Sequence, residues 1–404
     1  MGLADWTVMD GQPEALIDLD AIKANVAAIA SHVGAAQVMT VVKSDAYGHG
    51  ILPSARAAVA GGASWLGVVQ LADAIALRQD GHTVRILSLH GSPDAPHREA
   101  VRHDIDLTAG TPELVRQIAQ AAELAGRPAR VHLEVDTGMG RGGAIADDWP
   151  RLVDAAVRAE AVGLVRVAGL WSHLACADIP GHPAIGQQIE AFRAAIEQAE
   201  RAGARPEVRH LANGPATVSL PETYFDLVRP GGAVFGLCTL PGGAPGWLRP
   251  AMTLRARLIQ VKRVPAGTPV SYAHRFATDR DTTLGVLPLG YNEGIPRHAT
   301  NMTDMLLTRG RRVSIAGTVN LNHIILDLGD QLAEAGDEVI VFGPGDCGEA
   351  TAQEWADKLG TLSYEVVTRF TGKVPRTYSG VTGAGSDCSR AVDGRTGGEV
   401  AATH

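Results

Sequence analysis

Two periodicities divide the chain. Over roughly the first 240 residues, short β-rich apolar runs alternate with Ala-rich segments at helical spacing. The runs 38–43, 65–69, 84–89, 104–108, 130–136, 166–173, 207–212 and 225–229 predict strands. The segments 20–31, 52–60, 71–79, 112–124, 150–160, 184–202 and 214–219 predict helices. In the first of these, Leu19, Ile22, Val26 and Ile29 share one face.

Eight strands alternating with helices imply a (β/α)8 TIM-like barrel over residues 15–243. The competing reading is a doubly wound open sheet. The count of eight, with no GxGxxG after the first strand, favours the barrel. Functional groups should then gather at the C-terminal ends of the strands.

The texture changes at "LPGGAPGWLRPAM", a Gly/Pro-rich boundary. Beyond it, "TLRARLIQVKRV", "TTLGVLPLG", "RRVSIAG", "HIILDLG" and "DEVIVFG" read as strands, predicting a C-terminal all-β domain over 244–378. Residues 379–404 are small and polar and read as a disordered tail.

Composition narrows the class. Of 404 residues, 45% are hydrophobic and 20% charged, with a net charge of -8. This is a globular composition that argues against nucleic acid or an acidic membrane surface as partner. No uncharged apolar run would span a bilayer, and the N-terminus lacks the pattern of a signal peptide. The four cysteines are far apart without a CxxC pair, which argues against a disulfide scaffold or zinc site and fits a cytoplasmic setting.

The candidate chemistry lies at strand ends. "VMTVVKSDAYGHG" delivers Lys43 at the tip of a buried strand, where a depressed pKa would make its amine reactive. Tyr47 can donate to a phosphate, and the glycines behind it allow close backbone approach. "VHLEVDTGMGRGG" presents Arg141, whose fork suits a carboxylate. "GLWSHLACAD" sets His173 at the sixth strand tip, and "HLANGPATV" opens a helix at Asn213 and Gly214. "FDLVRPGGAVFGL" places Arg229, Gly231 and Gly232 after the eighth strand, a recurrent phosphate site in this fold. A lysine beside a phosphate site suggests pyridoxal 5'-phosphate. No His/Cys/Asp cluster in the C-terminal half suggests a metal.

With "VSYAHRF", "LPLGYNEGIPR" and "KVPRTY", these motifs occur in one order over nearly the whole chain to about residue 378, and together the sequence resembles the alanine racemase family of fold-type III pyridoxal-phosphate enzymes. The resemblance implies a homodimer with shared active sites acting on a small amino acid, chiefly interconverting L- and D-alanine. Lys43 would hold the cofactor and be the base on one face of the substrate Cα. Tyr272 of the partner subunit would be the base on the other. Tyr47, Gly231 and Gly232 would bind phosphate, Arg229 would face the pyridine nitrogen, and His173 would lie beside the ring. Arg141 would serve the cofactor oxygen and the substrate carboxylate, and Tyr291 and Leu321 would line the substrate pocket. Residues 1–14 would join the β domain.

Four departures stand out. Glu134 replaces a carbamylated lysine common in relatives, Gly214 a phosphate-binding serine, Asn322 an aspartate, and Gly372 a tyrosine. The less acidic entry around Asn322 keeps a racemase for serine or another amino acid in view. An aldolase would call for a metal site and a decarboxylase for a carboxylate in place of Arg229. A non-catalytic cofactor-binding protein would have no use for Tyr272.

Overall fold

The computed structural model describes residues 12–370 and 372–380; residues 1–11 of the expected amino-terminal segment, and 381–404 of the expected tail, lie outside the described residues. The chain divides into two compact units, one of Leu19–Arg249 and one of Met1–Asp18 with Pro250–His404.

Strand β1 (Glu14–Asp18) belongs to the second unit, and eight parallel strands build the first. These are β2 (Gln37–Val41), β3 (Trp65–Val68), β4 (Arg85–Ser88), β5 (Asp106–Ala109), β6 (Ala129–Glu134), β7 (Val165–Trp171), β8 (Val208–His210) and β9 (Leu227–Val228). They pair in the order β8-β7-β6-β5-β4-β3-β2-β9. Two hydrogen bonds close the ring beside β8 and β9, from Asp226 N to Arg209 O at 3.0 Å and from Arg229 N to Ala212 O at 2.9 Å. The interior is packed by Met39, Trp65, Leu87, Val208 and Leu227, so this is a filled barrel and not a pore. Each expected helix forms, and His97–Arg102 adds one whose six residues are too short to show a period. Helix Leu19–Val33 buries Ile22, Val26 and Ile29, the face its spacing marked.

The second unit is built on a nine-stranded sheet. Its remaining strands include β10 (Met252–Arg257), β11 (Gln260–Val264), β12 (Pro269–Val270), β13 (Phe276–Ala277) and β14 (Thr282–Leu287). They continue with β15 (Leu306–Thr308), β16 (Arg311–Ile315), β17 (Ile324–Gly329), β18 (Glu338–Phe342) and β19 (Arg376–Ser379). The sheet runs β11-β14-β17-β16-β15-β18-β10-β1-β19, and β12 pairs with β13 apart. Leu16 of β1 faces Thr253 across an antiparallel ladder and Thr377 across a parallel one, so residues 15–18 also pair in this sheet. Two helices, Ala352–Leu359 and Ser363–Thr368, are appended to it. A capping box between Thr351 and Glu354 starts the first, and Gly360 at φ 65° ends it.

Among the described residues Cys176 and Cys238 are free thiols. No helix among the described residues is long and apolar enough to cross a membrane.

Candidate active site

Lys43 follows β2 by two residues and opens an unusual turn. Ser44, Asp45, Ala46 and Tyr47 all have φ of 53–54°, a left-handed turn built without glycine. Each such residue costs about 1–2 kcal/mol, so the surroundings must hold it. Asp45 Oδ1 accepts from Ile51 N at 2.9 Å, and Asp45 O accepts from Gly50 N at 2.9 Å. The turn brings the Tyr47 ring back toward the lysine, with Lys43 Nζ 5.9 Å from its centroid. Burial, and then the charge of Arg141, lower the Lys43 pKa.

Tyr47 is buried, and burial raises the pKa of its phenol, keeping it a donor. Its hydroxyl meets the backbone after β9: a Cβ at Gly231 would lie 2.1 Å from Tyr47 Oη. Only a residue without a side chain fits that cradle, which suits a phosphate group approached by backbone and phenol together. Gly232 follows at the start of a buried 3-10 turn. Asn213 caps helix Gly214–Ser219 through its Oδ1, which accepts from Ala216 N at 3.3 Å, and Gly214 is buried behind it.

Arg229 is 4% exposed and held on several sides. It donates to His210 O at 2.8 Å, Ser172 O at 2.7 Å, Leu211 O at 3.2 Å and His210 Nδ1 at 3.1 Å. Its guanidinium stacks over Trp171, 4.9 Å from the ring centroid. His173 Nδ1 lies 3.4 Å from Arg229 Nη2, and His173 Nε2 lies 3.5 Å from Asn213 Nδ2. Burial, with the charges of Arg229, Arg141 and Lys43, pushes His173 down to about 2, so the ring is neutral. Burial pulls Arg229 down to about 9 against the pull of Glu134, which leaves it charged at neutral pH.

Behind Arg229 a polar chain crosses the barrel. His210 Nε2 is 2.9 Å from His132 Nδ1, and His132 Nε2 is 3.1 Å from Asp106 Oδ2. Asp106 also accepts from Arg130 Nε at 3.0 Å, and Arg130 forks onto Glu207 at 2.8 Å. Sequence reasoning missed these groups, although Arg130, His132 and Glu134 alternate along β6 and so share a face.

The loop after β6 is shaped by Asp136, whose carboxylate accepts from the backbone N–H of Gly138, Met139 and Gly140 at 2.9–3.1 Å. Gln188 ties this loop to the next, donating to Thr137 Oγ1 at 3.1 Å and His173 O at 2.9 Å. Arg141 is exposed at its end. The Glu134 carboxylate packs against Gly142, where a Cβ would lie 3.1 Å from each oxygen. Burial pushes Glu134 up to about 7, although Arg141 and Arg229 favour its charge.

The remaining predicted residues gather on the second unit. Tyr272 is 71% exposed, in a turn where Ser271, Ala273 and His274 have φ of 46–61°. Ser271 Oγ reaches Thr318 O at 2.7 Å and Asn320 Oδ1 at 2.8 Å, and Thr318 Oγ1 donates to Tyr272 O at 3.0 Å. Tyr291 N donates to Asn320 O at 3.0 Å, which brings the Tyr291 and Leu321 loops to the same place. Among the described residues no group of three or more His, Cys, Asp or Glu side chains could hold a metal ion.

Residues 17–239 match the family described as "Alanine racemase, N-terminal domain", and 251–378 match "Alanine racemase, C-terminal domain". The chain is 53% identical to the alanine racemase of Frankia casuarinae, over 90% of this chain and 95% of that one. It is 50% identical to the alanine racemase of Thermobifida fusca, over 92% and 99%. The solved alanine racemase of a D-cycloserine producing Streptomyces lavendulae superposes with a TM-score of 0.90 at 48% identity, covering 92% of this chain and 98% of that one.

Proposed function

The chain belongs to the alanine racemase family and is an amino-acid racemase, and we propose that it uses pyridoxal 5'-phosphate and two bases, Lys43 and Tyr272 of the partner subunit, to interconvert L- and D-alanine. The observation that carries this reading is the barrel mouth. There a lysine of lowered pKa lies beside a tyrosine–glycine cradle, and a fixed arginine faces a neutral histidine.

Lys43 would hold the cofactor, with Tyr47, Gly231 and Gly232 on its phosphate and Arg229 and His173 at its ring. When bound, the cofactor supplies a sink for the electron pair left on the substrate Cα. The lowered pKa of Lys43 leaves more free amine near neutral pH, as a base at that carbon requires. Arg229 remains a cation and gives up no proton, so it donates hydrogen bonds without becoming an acid. Arg141, at the end of its Gly-rich loop, is set to receive a carboxylate. Inversion needs a proton donor and acceptor on both faces of one carbon, and the barrel supplies one. Tyr272 is a phenol without a burial constraint on its own chain, as expected of a group completed by a second copy. The shared site makes a homodimer the working unit, and the four widely spaced cysteines, with no CxxC pair, are read as those of a cytoplasmic enzyme.

The test is Tyr272→Phe, followed by NMR in D2O. The variant should lose about 10²-fold or more in racemisation. It should still exchange the α-proton of one alanine enantiomer and not of the other. Equal exchange of both enantiomers, or racemisation of L-serine faster than L-alanine by the unmodified enzyme, would sink the reading.

A further inference from the structure

The loops that carry Tyr291 and Leu321 are clasped by one carboxylate. Glu293 Oε1 accepts from Asn322 Nδ2 at 2.7 Å and from Asn292 Nδ2 at 2.9 Å. Glu293 Oε2 accepts from Gly290 N at 2.8 Å. Asn292 is oriented in turn by Lys373, whose Nζ donates to Asn292 Oδ1 at 2.8 Å. The backbones are stitched as well, with Asn292 N donating to Leu321 O at 2.9 Å beside the Tyr291–Asn320 bond. There is no slack at the seam: a Cβ at Gly290 would lie 2.3 Å from Leu321 O.

Glu293 is half-buried, whereas Tyr291 and Leu321 are 46% and 50% exposed. Burial opposes the Glu293 charge, but the hydrogen bonds from Asn292, Asn322 and Gly290 outweigh it and lower its pKa. These three partners are neutral N–H donors. A carboxylate at position 322 would put a second anion against the first and leave one oxygen of Glu293 short of a donor.

We propose that Glu293 is a specificity-determining positioning residue, and that it locks Tyr291 and Leu321 in place only because residue 322 is an amide. The inference rests on the reading of Tyr291 and Leu321 as lining the substrate pocket. Glu293 does not act on the reacting atoms. It sets how much room the substrate side chain finds, through the spacing of the two loops.

The experiment compares Asn322→Asp, Glu293→Gln, the double variant and Leu321→Ala, with L-alanine and L-2-aminobutyrate as substrates. Asn322→Asp and Glu293→Gln should each raise the KM for alanine about fivefold or more, with kcat within about twofold, the pattern of lost ground-state placement. Both should narrow the preference for alanine over 2-aminobutyrate. The double variant exchanges the two roles, so that an amide at position 293 can donate to a carboxylate at position 322. It should recover only part of the loss, because the new amide N–H then meets the Asn292 donor, but even partial recovery is a rescue that a general loss of stability would not give. Unchanged KM in both single variants, or a double variant no better than Asn322→Asp, overturns the proposal. Leu321→Ala separates the two levels. If it moves KM while the Glu293 and Asn322 variants do not, the clasp alone fails. If it moves neither KM nor preference, the pocket reading fails and the clasp with it.

Discussion

His132 Nδ1 lies 2.9 Å from His210 Nε2 inside the barrel, and both side chains are fully buried. Two ring nitrogens can share a hydrogen bond only if one carries the proton, and the neighbours decide which. Arg229 can only donate, so His210 Nδ1 accepts and its Nε2 holds the hydrogen. His132 Nδ1 therefore accepts, and its Nε2–H points at Asp106. Every donor from Arg229 to Asp106 faces the same way, and the chain ends on an anion.

Breaking that chain should be costly. Burial opposes the Asp106 charge, but His132 and Arg130 outweigh it and hold its pKa below 3.8. Asp106→Leu strands a buried imidazole N–H and takes from Arg130 one of its two carboxylates, Glu207 remaining, and should cost about 1–3 kcal/mol in denaturant unfolding. Because the folded value is the lower one, Asp106 stabilises fully above pH 3.8, and its contribution fades as pH falls below that. The unmodified enzyme should therefore lose stability on acidification, and Asp106→Leu should lose less.

Glu134 should behave in the opposite sense. Its folded pKa, about 7, stands above the ordinary 4.5, so the folded chain holds that proton more tightly. Its contribution to stability then declines as pH rises from 4.5 to about 7 and is flat above. Glu134→Gln should remove this decline, seen as a smaller drop in unfolding midpoint between pH 5 and pH 8. The anion beside Arg141 forms only as pH rises through that range, so kcat/KM should climb in the enzyme and climb less in the variant.

Lys43 is lowered by burial and by Arg141. Arg141→Leu removes the second cause, so the acid limb of the kcat pH profile should move to higher pH. Lys43→Ala should abolish the visible absorbance of the lysine-bound cofactor and cut turnover by about 10³-fold or more. Lys43→Arg should not restore it, because a guanidinium stays protonated. An unmoved limb in Arg141→Leu would separate the two side chains.

Gly231→Ala places a methyl 2.1 Å from Tyr47 Oη in a rigid strand-end turn. Tyr47 must move, and with it half of the proposed phosphate cradle. Cofactor titration should show at least about a tenfold weaker Kd, near 1.4 kcal/mol. Tyr47→Phe removes the hydroxyl but leaves Cζ 2.9 Å from the added methyl, so the same Gly231→Ala change should cost less on that background without becoming neutral.

The alternation of apolar runs and Ala-rich segments is local information, and it placed the eight strand ends where the candidate groups emerge. Lys43, His173 and Arg229 were legible because a strand that must be buried ends on a charge or an imidazole. The left-handed turn at 44–47 was not, because Ser, Ala and Tyr have no intrinsic preference for it and only the packing around Asp45 and Tyr47 holds it. The chain from Arg229 to Asp106 draws on four separate strand regions, and the Glu293–Asn322 bond joins two loops 29 residues apart. Period two says that Arg130, His132 and Glu134 share a face of β6, but not what stands opposite. Barrel closure and strand register decide that, because they bring together side chains whose separation in sequence carries no signal of their contact.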